Sequence, residues 1–412
     1  MSEQQLENFA AILVQVGLGL QKGQMVSISS HVGLEDFTRR VVRQAYKAGA
    51  KFVEVEYRDP ELQVLRLQHA DPETLETVPE WFYKARLEFI EKGGSLLNLS
   101  LNRPDVFKGQ DQEKMTRMSR ATFPFVKPIQ QRMMSDAVAW VVSVIPDQEW
   151  ACKVFPELPA QEALEALWEV IFQIVRADQE DPVQVWKAHV KSLHARKNWL
   201  NEQRFTALHF QNALTDLTVG LAEGHIWAGG SGVAHDPFNT EFVANIPTEE
   251  VFTLPDCTRI DGTVTSTFPL SVRGTVIDRF TLTFKEGRVT HAEADNHQEV
   301  LQALLSMDEG ALSLGEVALV PHSSPISQFG RPLYHGLFDE NAASHIALGA
   351  GYRFCLQGGG DMTDEQFRAA GGNVSQVHED FMVGSKDMQV TGIRSNGERV
   401  PVMTDGEWAF EI

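Results

Sequence analysis

Residues 25–57 read MVSISSHVGLEDFTRRVVRQAYKAGAKFVEVEY, and this stretch decides the fold of the first half. Residues 25–29 suit a strand, with Val26 and Ile28 on one face. Leu34, Phe37, Val41 and Ala45 then recur at helical spacing, and Ala48-Gly49 closes that helix with glycine in its favoured C-terminal place. Residues 52–57 return to strand. A strand, a helix and a strand in succession form a crossover unit, which pairs its strands in parallel. Working outward, Leu6, Phe9, Ala10, Leu13 and Val16 mark a preceding helix. A Glu-, Lys- and Leu-rich helix ending at Gly93-Gly94 precedes a strand over 96–101, and 138–145 is a nearly continuous apolar strand. Such runs suit a parallel sheet covered on both faces. Nucleotide binding is not expected, because Gly17, Gly19 and Gly23 are spaced GxGxxxG and follow a helix, and no GxxxxGK[ST] occurs. This half reads as scaffold and interface.

Residues 161–203 read as helix, broken at Asp181-Pro182, with His189 and His194 on different faces. From Phe205 the period changes to two. Thr215, Leu217, Val219 and Leu221 alternate, as do Phe280, Leu282 and Phe284 before a turn at 285–288, and 271–275 adds a further strand. The expected architecture is therefore an α/β domain with a mostly parallel sheet over 1–200, followed by a mixed α+β, strand-rich domain over 201–412 that carries the chemistry.

The chain has 412 residues, with 56 acidic and 36 basic side chains and a formal net charge of −20. That field repels phosphate backbones, so nucleic acid is not an expected partner. It favours cationic or amine-bearing ligands and divalent metals. Three scattered cysteines and no CxxC give neither a disulfide framework nor a thiolate zinc site. Residues 1–5 are polar, the first basic residue is Lys22, and the apolar run 137–145 is too short to cross a bilayer. A cytoplasmic location with no membrane partner is expected.

HExxH and GxSxG are absent, and four carboxylate and imidazole clusters remain, all in the second half. They surround Glu249-Glu250, Glu316, Asp339-Glu340-Asn341 with His345, and His378-Glu379-Asp380. In an extended chain His378 and Asp380 point to one face and Glu379 to the other, a spacing that can grip one metal or two adjacent ones. Glu316 sits among apolar neighbours and must be paired, metal-bound or at an edge. Read as a helix, 341–352 would bring His345 and Tyr352 to one face, although Gly349 and Gly351 weaken that helix. Taken singly, Glu250 reads as a solvated acid beside a turn rather than as a ligand, and 339–341 reads equally as a helix N-terminus.

The same segments resemble a known family. NEQRFTALHFQ (201–211), TDLTVGLAEGHIWAGG (215–230), PTEEVFTLPD (247–256), GEVALVP (315–321), LFDENAASHIALG (337–349), VHEDFMVGS (377–385) and DQEDPVQVW (178–186) are similar to those of the aminopeptidase T, PepS and AmpS aminopeptidases of the thermophilic-metalloprotease type. The resemblance runs along the whole chain and is looser over the first 150 residues. It implies a metal-dependent aminopeptidase that acts as a homodimer on peptides with a free N-terminus. It also implies a two-metal site in the C-terminal domain, with Glu250, Glu316, His345, His378 and Asp380 as ligands, Glu340 close to the metals as a further ligand or as the general base, and Tyr352 as the active-site tyrosine. Carboxylate and imidazole donors without thiolates suit zinc, cobalt, manganese or magnesium. Glu316 is the expected bridge, and Glu316 or Glu340 the expected base. Tyr352 is the expected oxyanion donor, and Asp339 or Glu379 the expected acceptor behind the histidines. The competing reading is a catalytically silent relative that binds small peptides or metal.

Overall fold

The computed structural model describes residues 2–272 and 275–412. It divides into two compact units, Met1–Ala188 with Ser231–Ile246, and His189–Gly230 with Pro247–Ile412.

The first unit is built on α1 (Glu3–Ile12), β1 (Met25–His31), α2 (Glu35–Lys47), β2 (Phe52–Arg58), α3 (Pro60–His69), α4 (Glu80–Glu91), β3 (Ser95–Ser100), α5 (Gln112–Met134), β4 (Trp140–Val144), α6 (Gln148–Val154) and α7 (Ala160–Ile174). The helix α8 (Pro182–Gln203) follows, and the division at residue 188 falls inside it. The four strands form one sheet in the order β2-β1-β3-β4, every pair parallel. Alternation along β1 sends Ser30 to one face, where its hydroxyl meets Thr38 of α2 at 2.8 Å, and Ser27 to the other, where it meets Arg86 of α4 at 2.8 Å. Helices thus cover both faces, as parallel pairing requires. The segment Ser231–Ile246 joins this unit through backbone bonds, among them Val142 N–H to Ala244 O and Val243 N–H to Gly17 O.

In the second unit β5 (Ala207–Gln211) and β6 (Asp216–Leu221) come first. The short pair β7 (Gly232–Val233) and β8 (Glu241–Phe242) belongs to the first unit. Then follow β9 (Val251–Thr253), β10 (Pro255–Thr265), β11 (Leu270–Val272), β12 (Thr275–Ile277), β13 (Phe280–Lys285), β14 (Arg288–Ala294), α9 (Gln298–Leu305), β15 (Leu314–Leu319), α10 (Pro325–Phe329), α11 (Gly336–Asp339), β16 (His345–Gly349), α12 (Asp364–Ala369), β17 (His378–Met382), β18 (Gln389–Ile393), β19 (Arg399–Thr404) and β20 (Glu407–Trp408). The strand expected over 271–275 is instead a hairpin of β11 with β12, and Arg273 and Gly274 lie outside the described residues.

Two antiparallel sheets dominate this unit, an eight-stranded one (β14-β13-β10-β6-β5-β18-β19-β20) and a four-stranded one (β17-β16-β15-β9). One face of the small sheet contributes Val251, Val317, Leu319, Ile346, Leu348 and Phe381 to a core shared with Leu208, Val219, Ile260 and Leu282 of the large sheet. Leu193 and Leu200, from the later part of α8, pack in the same core. Burial on both faces explains why LGEVAL and HIALG are buried at every position. No helix among the described residues is long and apolar enough to cross a membrane.

Candidate metal centre

The opposite face of the small sheet carries the polar chemistry. Period-two alternation places Glu316 and Ala318 of β15, His345 and Ala347 of β16, and His378, Asp380 and Met382 of β17 on that side. Phe252 of β9 pairs with Ala318, and Glu250 lies two residues before Phe252. Cross-strand rows run Glu316, Ala347, Asp380 and Ala318, His345, Met382. Neighbouring Cβ atoms in such rows are about 4.5–5.5 Å apart. The alanines therefore matter as much as the acids, because their small side chains leave the space over which longer ones converge.

Glu316 is aimed by a bulge. The β15–β16 register shifts between Leu314 and Glu316, around Gly315. A Cβ on Gly315 would lie 2.2 Å from Ala350 O, so no side chain fits there.

The donor atoms form two groups that share Glu316. Glu250, Glu316 and His345 make one, and Glu316, His378 and Asp380 the other, with the atoms of each within 4.8 Å of one another. His345 Nε2 lies 3.1 Å from Glu250 Oε2 and 3.8 Å from Glu316 Oε1. His378 Nε2 lies 3.4 Å from Glu316 Oε2 and 3.6 Å from Asp380 Oδ2. Ligands bonded at about 2.0–2.2 Å in a tetrahedral shell stand about 3.3 Å apart, so this spacing suits cations between the donors. Glu250, Glu316 and His345 are all less than one-tenth exposed, whereas His378 and Asp380 are about a quarter exposed and form the solvent side.

Hydrogen bonding fixes the imidazoles. His345 Nδ1 donates to Ala343 O at 3.1 Å and His378 Nδ1 to Ala350 O at 2.7 Å. Carbonyls only accept, so in each neutral ring Nε2 carries the lone pair and faces carboxylate oxygens. Lone pairs aimed at anions repel unless a cation or a proton intervenes. The orphaned atoms agree, since Glu250 Oε2 and Asp380 Oδ1 are buried without a hydrogen-bond partner. The donor set therefore fits a divalent cation. Backbone carbonyls, and not the expected Asp339 or Glu379, back the histidines. Asp339 instead accepts from the backbone N–H groups of Leu333 and His335, and alternation turns Glu379 to the far side of the sheet.

Electrostatics repeat the point. Burial raises Glu316 to about 7, with Asp380 and Glu250 adding to the rise against a hydrogen bond to His378. Burial alone would lower His345, yet Glu250, Asp380 and Glu316 raise it to about 10, and Glu316 and Asp380 likewise hold His378 at about 9. Without cations the cluster gathers protons.

Glu340 belongs to neither donor group. It sits on a 3₁₀ turn, Glu340–Ala342, where burial and then Glu250 and Asp380 raise its carboxyl well above the ordinary range. Asn341, fully buried, ties this turn to Glu250. Its Oδ1 accepts the Glu249 N–H at 2.7 Å, and its Nδ2 donates to Leu337 O at 3.0 Å and to Glu340 Oε1 at 3.4 Å. Asn341 went unrecognised in the sequence as anything but a cap. Residues 341–352 are not one helix. His345–Gly349 is a strand, because its backbone pairs laterally with β15 and β17, and Gly349 leaves it at φ +101°. Tyr352 follows that strand, and its ring packs on His378 at 4.7 Å between centroids. Burial and the nearby carboxylates raise its phenol, so it stays protonated.

Comparisons with known proteins agree with this geometry. A family model described as thermophilic metalloprotease (M29) matches residues 2–408. The chain is 42% identical over 407 residues to aminopeptidase AmpS of Bacillus subtilis, covering 99% of both chains. It is 41% identical over 408 residues to aminopeptidase T of Thermus thermophilus, covering 98% of both. The solved structure of wild-type AmpT from Thermus thermophilus superposes with a TM-score of 0.91 at 40% identity, over 99% of this chain and 100% of that one. On these grounds the chain belongs to the thermophilic metalloprotease (M29) family.

Proposed function

We propose that the chain is a metal-dependent aminopeptidase that releases the first residue of peptides, using two divalent cations held by Glu250, Glu316, His345, His378 and Asp380. The observation that carries this reading is the split of Glu316, one oxygen toward His345 and the other toward His378. A carboxylate whose two oxygens face the two donor groups would hold both cations of a two-metal site, which would supply Lewis acidity and an activated water. The three carboxylates of the donor groups, Glu250, Glu316 and Asp380, with the Glu340 carboxyl beside them and two imidazoles, make a negative cluster that two dications would balance. Oxygen and nitrogen donors without thiolate suit zinc, cobalt, manganese or magnesium.

When bound, such cations supply Lewis acidity and acidify a water. The protein's own groups do the rest. Glu340, outside both donor groups but inside their field, takes the water's proton and returns it to the leaving amine. The Tyr352 phenol, kept protonated, donates to the oxygen of the scissile carbonyl as negative charge develops there. The Asn341 amide holds Glu250 and Glu340 in register. The acidic, partly exposed edge at Asp380 receives the substrate's ammonium group.

Two copies are further proposed to associate. Among its described residues α5 buries no side chain, and Leu62, Leu65, Trp81 and Phe123 stand exposed in the same unit. All three cysteines are free thiols, which supports a reducing, cytoplasmic setting.

Metal analysis tests the central reading, with about two ions per chain expected. Dialysis against a chelator should abolish hydrolysis of a leucine chromogenic amide, and added zinc or cobalt should restore it. Tight metal binding with no turnover on any free-amine amide would instead favour the catalytically silent relative.

A further inference from the structure

Beside the metal centre Tyr352 is backed by two further aromatic rings that the reaction itself leaves unused. Phe252, Tyr352 and Phe354 face one another, with centroids 5.9 Å apart for Phe252 and Tyr352, 6.1 Å for Phe252 and Phe354, and 5.3 Å for the stacked Tyr352 and Phe354. Tyr352 also packs on His378, so Phe354 stands one ring outward from a cation donor. Phe354 is nevertheless 44% exposed, and neighbouring Ile226 is 37% exposed.

This aromatic group is held firmly. The Ile226 N–H donates to Cys355 O at 2.8 Å, and Ile226 O accepts from Thr253 Oγ1 at 2.9 Å. Single backbone bridges join His225 to Leu356 and Ala228 to Phe252. Three separate segments are thereby fixed, and two of them leave a large apolar side chain open to solvent. The charge between them is turned away, because Arg353 pairs with Asp364 and lies over the Phe367 ring at 4.6 Å. An exposed apolar side chain alone is ordinary. A stacked aromatic on a rigid frame next to the reacting atoms is a surface shaped for contact.

We propose that Phe354, with Phe252 and Ile226, receives the side chain of the substrate's first residue and selects apolar and aromatic N-termini over basic ones. The assignment rests on the aminopeptidase reading. Tyr352 donates to the carbonyl oxygen of the first residue, and that residue's Cα is bonded to the same carbonyl carbon. Its side chain therefore hangs within reach of the ring stacked on Tyr352. An apolar side chain covers Phe354 there, whereas a guanidinium would lie against the apolar surfaces of Phe354, Phe252 and Ile226.

The test uses the metal-loaded enzyme and the p-nitroanilides of glycine, leucine, phenylalanine and arginine. The leaving group is constant, so ratios of kcat/KM report the first side chain alone. Phe354→Ala should lower the phenylalanine-to-glycine ratio about tenfold, the scale on which apolar pockets discriminate. Phe354→Leu should recover part of it, and Phe354→Glu should shift the arginine-to-phenylalanine ratio about tenfold toward arginine. Equal losses on all four substrates would make Phe354 a support for Tyr352 and overturn the proposal, as would unaltered ratios. Absence of wild-type turnover on every anilide would overturn the aminopeptidase reading, and this assignment with it.

Discussion

Both units place charged side chains on the face of a sheet, and they settle the cost differently. In the parallel sheet, Ser27 donates to Glu54 at 2.9 Å and accepts from Arg86, which also bonds Glu56 at 2.9 Å. Acid meets base, and the network closes on itself. On the small antiparallel sheet, Glu250, Glu316 and Asp380 face only the imidazoles of His345 and His378, and among the described residues none of them forms an ion pair with arginine or lysine. Taking an ion out of water costs several kcal/mol, so a like-charged cluster persists only if something outside the chain completes it. The first arrangement is structure. The second is a donor set that suits positive charge, and that distinction separates scaffold from site more clearly than burial does.

The comparison breaks most visibly at Glu316. Glu316→Gln removes the shared anion, and turnover should fall by more than about 10³-fold, the scale of losing one member of a cooperating set. Metal retained per chain, measured by atomic emission, should fall with it. Normal turnover in that variant would end the bridging assignment. Tyr352→Phe should lower kcat by about 10²–10³-fold with metal content unchanged, as expected for one lost oxyanion donor. Loss of metal there would make the tyrosine a ligand or a prop.

The pH dependence of stability sharpens the contrast. In the cation-free chain, His345 at about 10 and His378 at about 9 bind protons more tightly folded than unfolded. Their stabilisation is complete below their ordinary value of 6.5 and fades as pH climbs through 9 and 10. Glu316, raised from 4.5 to about 7, acts in the same direction, because its ionisation above 4.5 is disfavoured in the folded state. Chelated protein should therefore lose several degrees of Tm between about pH 5 and pH 10, and the metal-loaded protein should not show this loss. Parallel Tm curves would remove the claim that cations balance this cluster. The smallest effect belongs to the other unit. Arg86→Met should cost about 1–3 kcal/mol in urea unfolding while kcat/KM stays within about twofold, since Arg86 serves only a self-contained network. A large activity loss would show that the two charge arrangements are not separable in role.

Much of this was legible in the residues themselves. Strand, helix and strand over 25–57 needed only period and glycine placement, and His378 with Asp380 needed only the two-residue repeat of a strand. Resemblance gathered the remaining donors, which lie too far apart in sequence for spacing to join them. What escaped depends on neighbours across the sheet. Gly315 before Glu316 is an ordinary dipeptide until β16 is alongside, and only then does the bulge become necessary. Ala347 matters because Glu316 and Asp380 flank it. Residues 341–352 fit a helical repeat on paper because lateral pairing leaves no periodic mark in a strand buried on both faces. Asn341 looked like a cap because its true partner, the Glu249 amide, is remote in sequence.

One connection has a lasting consequence. Only Leu254 separates β9 of the small sheet from β10 of the large one, so a single run of backbone begins beside Glu250 and ends among the central strands of the bigger sheet. Local opening at the donor end must tug on a strand that is paired on both sides, to β6 and to β13. Amide exchange at Val251 should consequently be as slow as at Val264, and heat should silence hydrolysis only when the whole body melts.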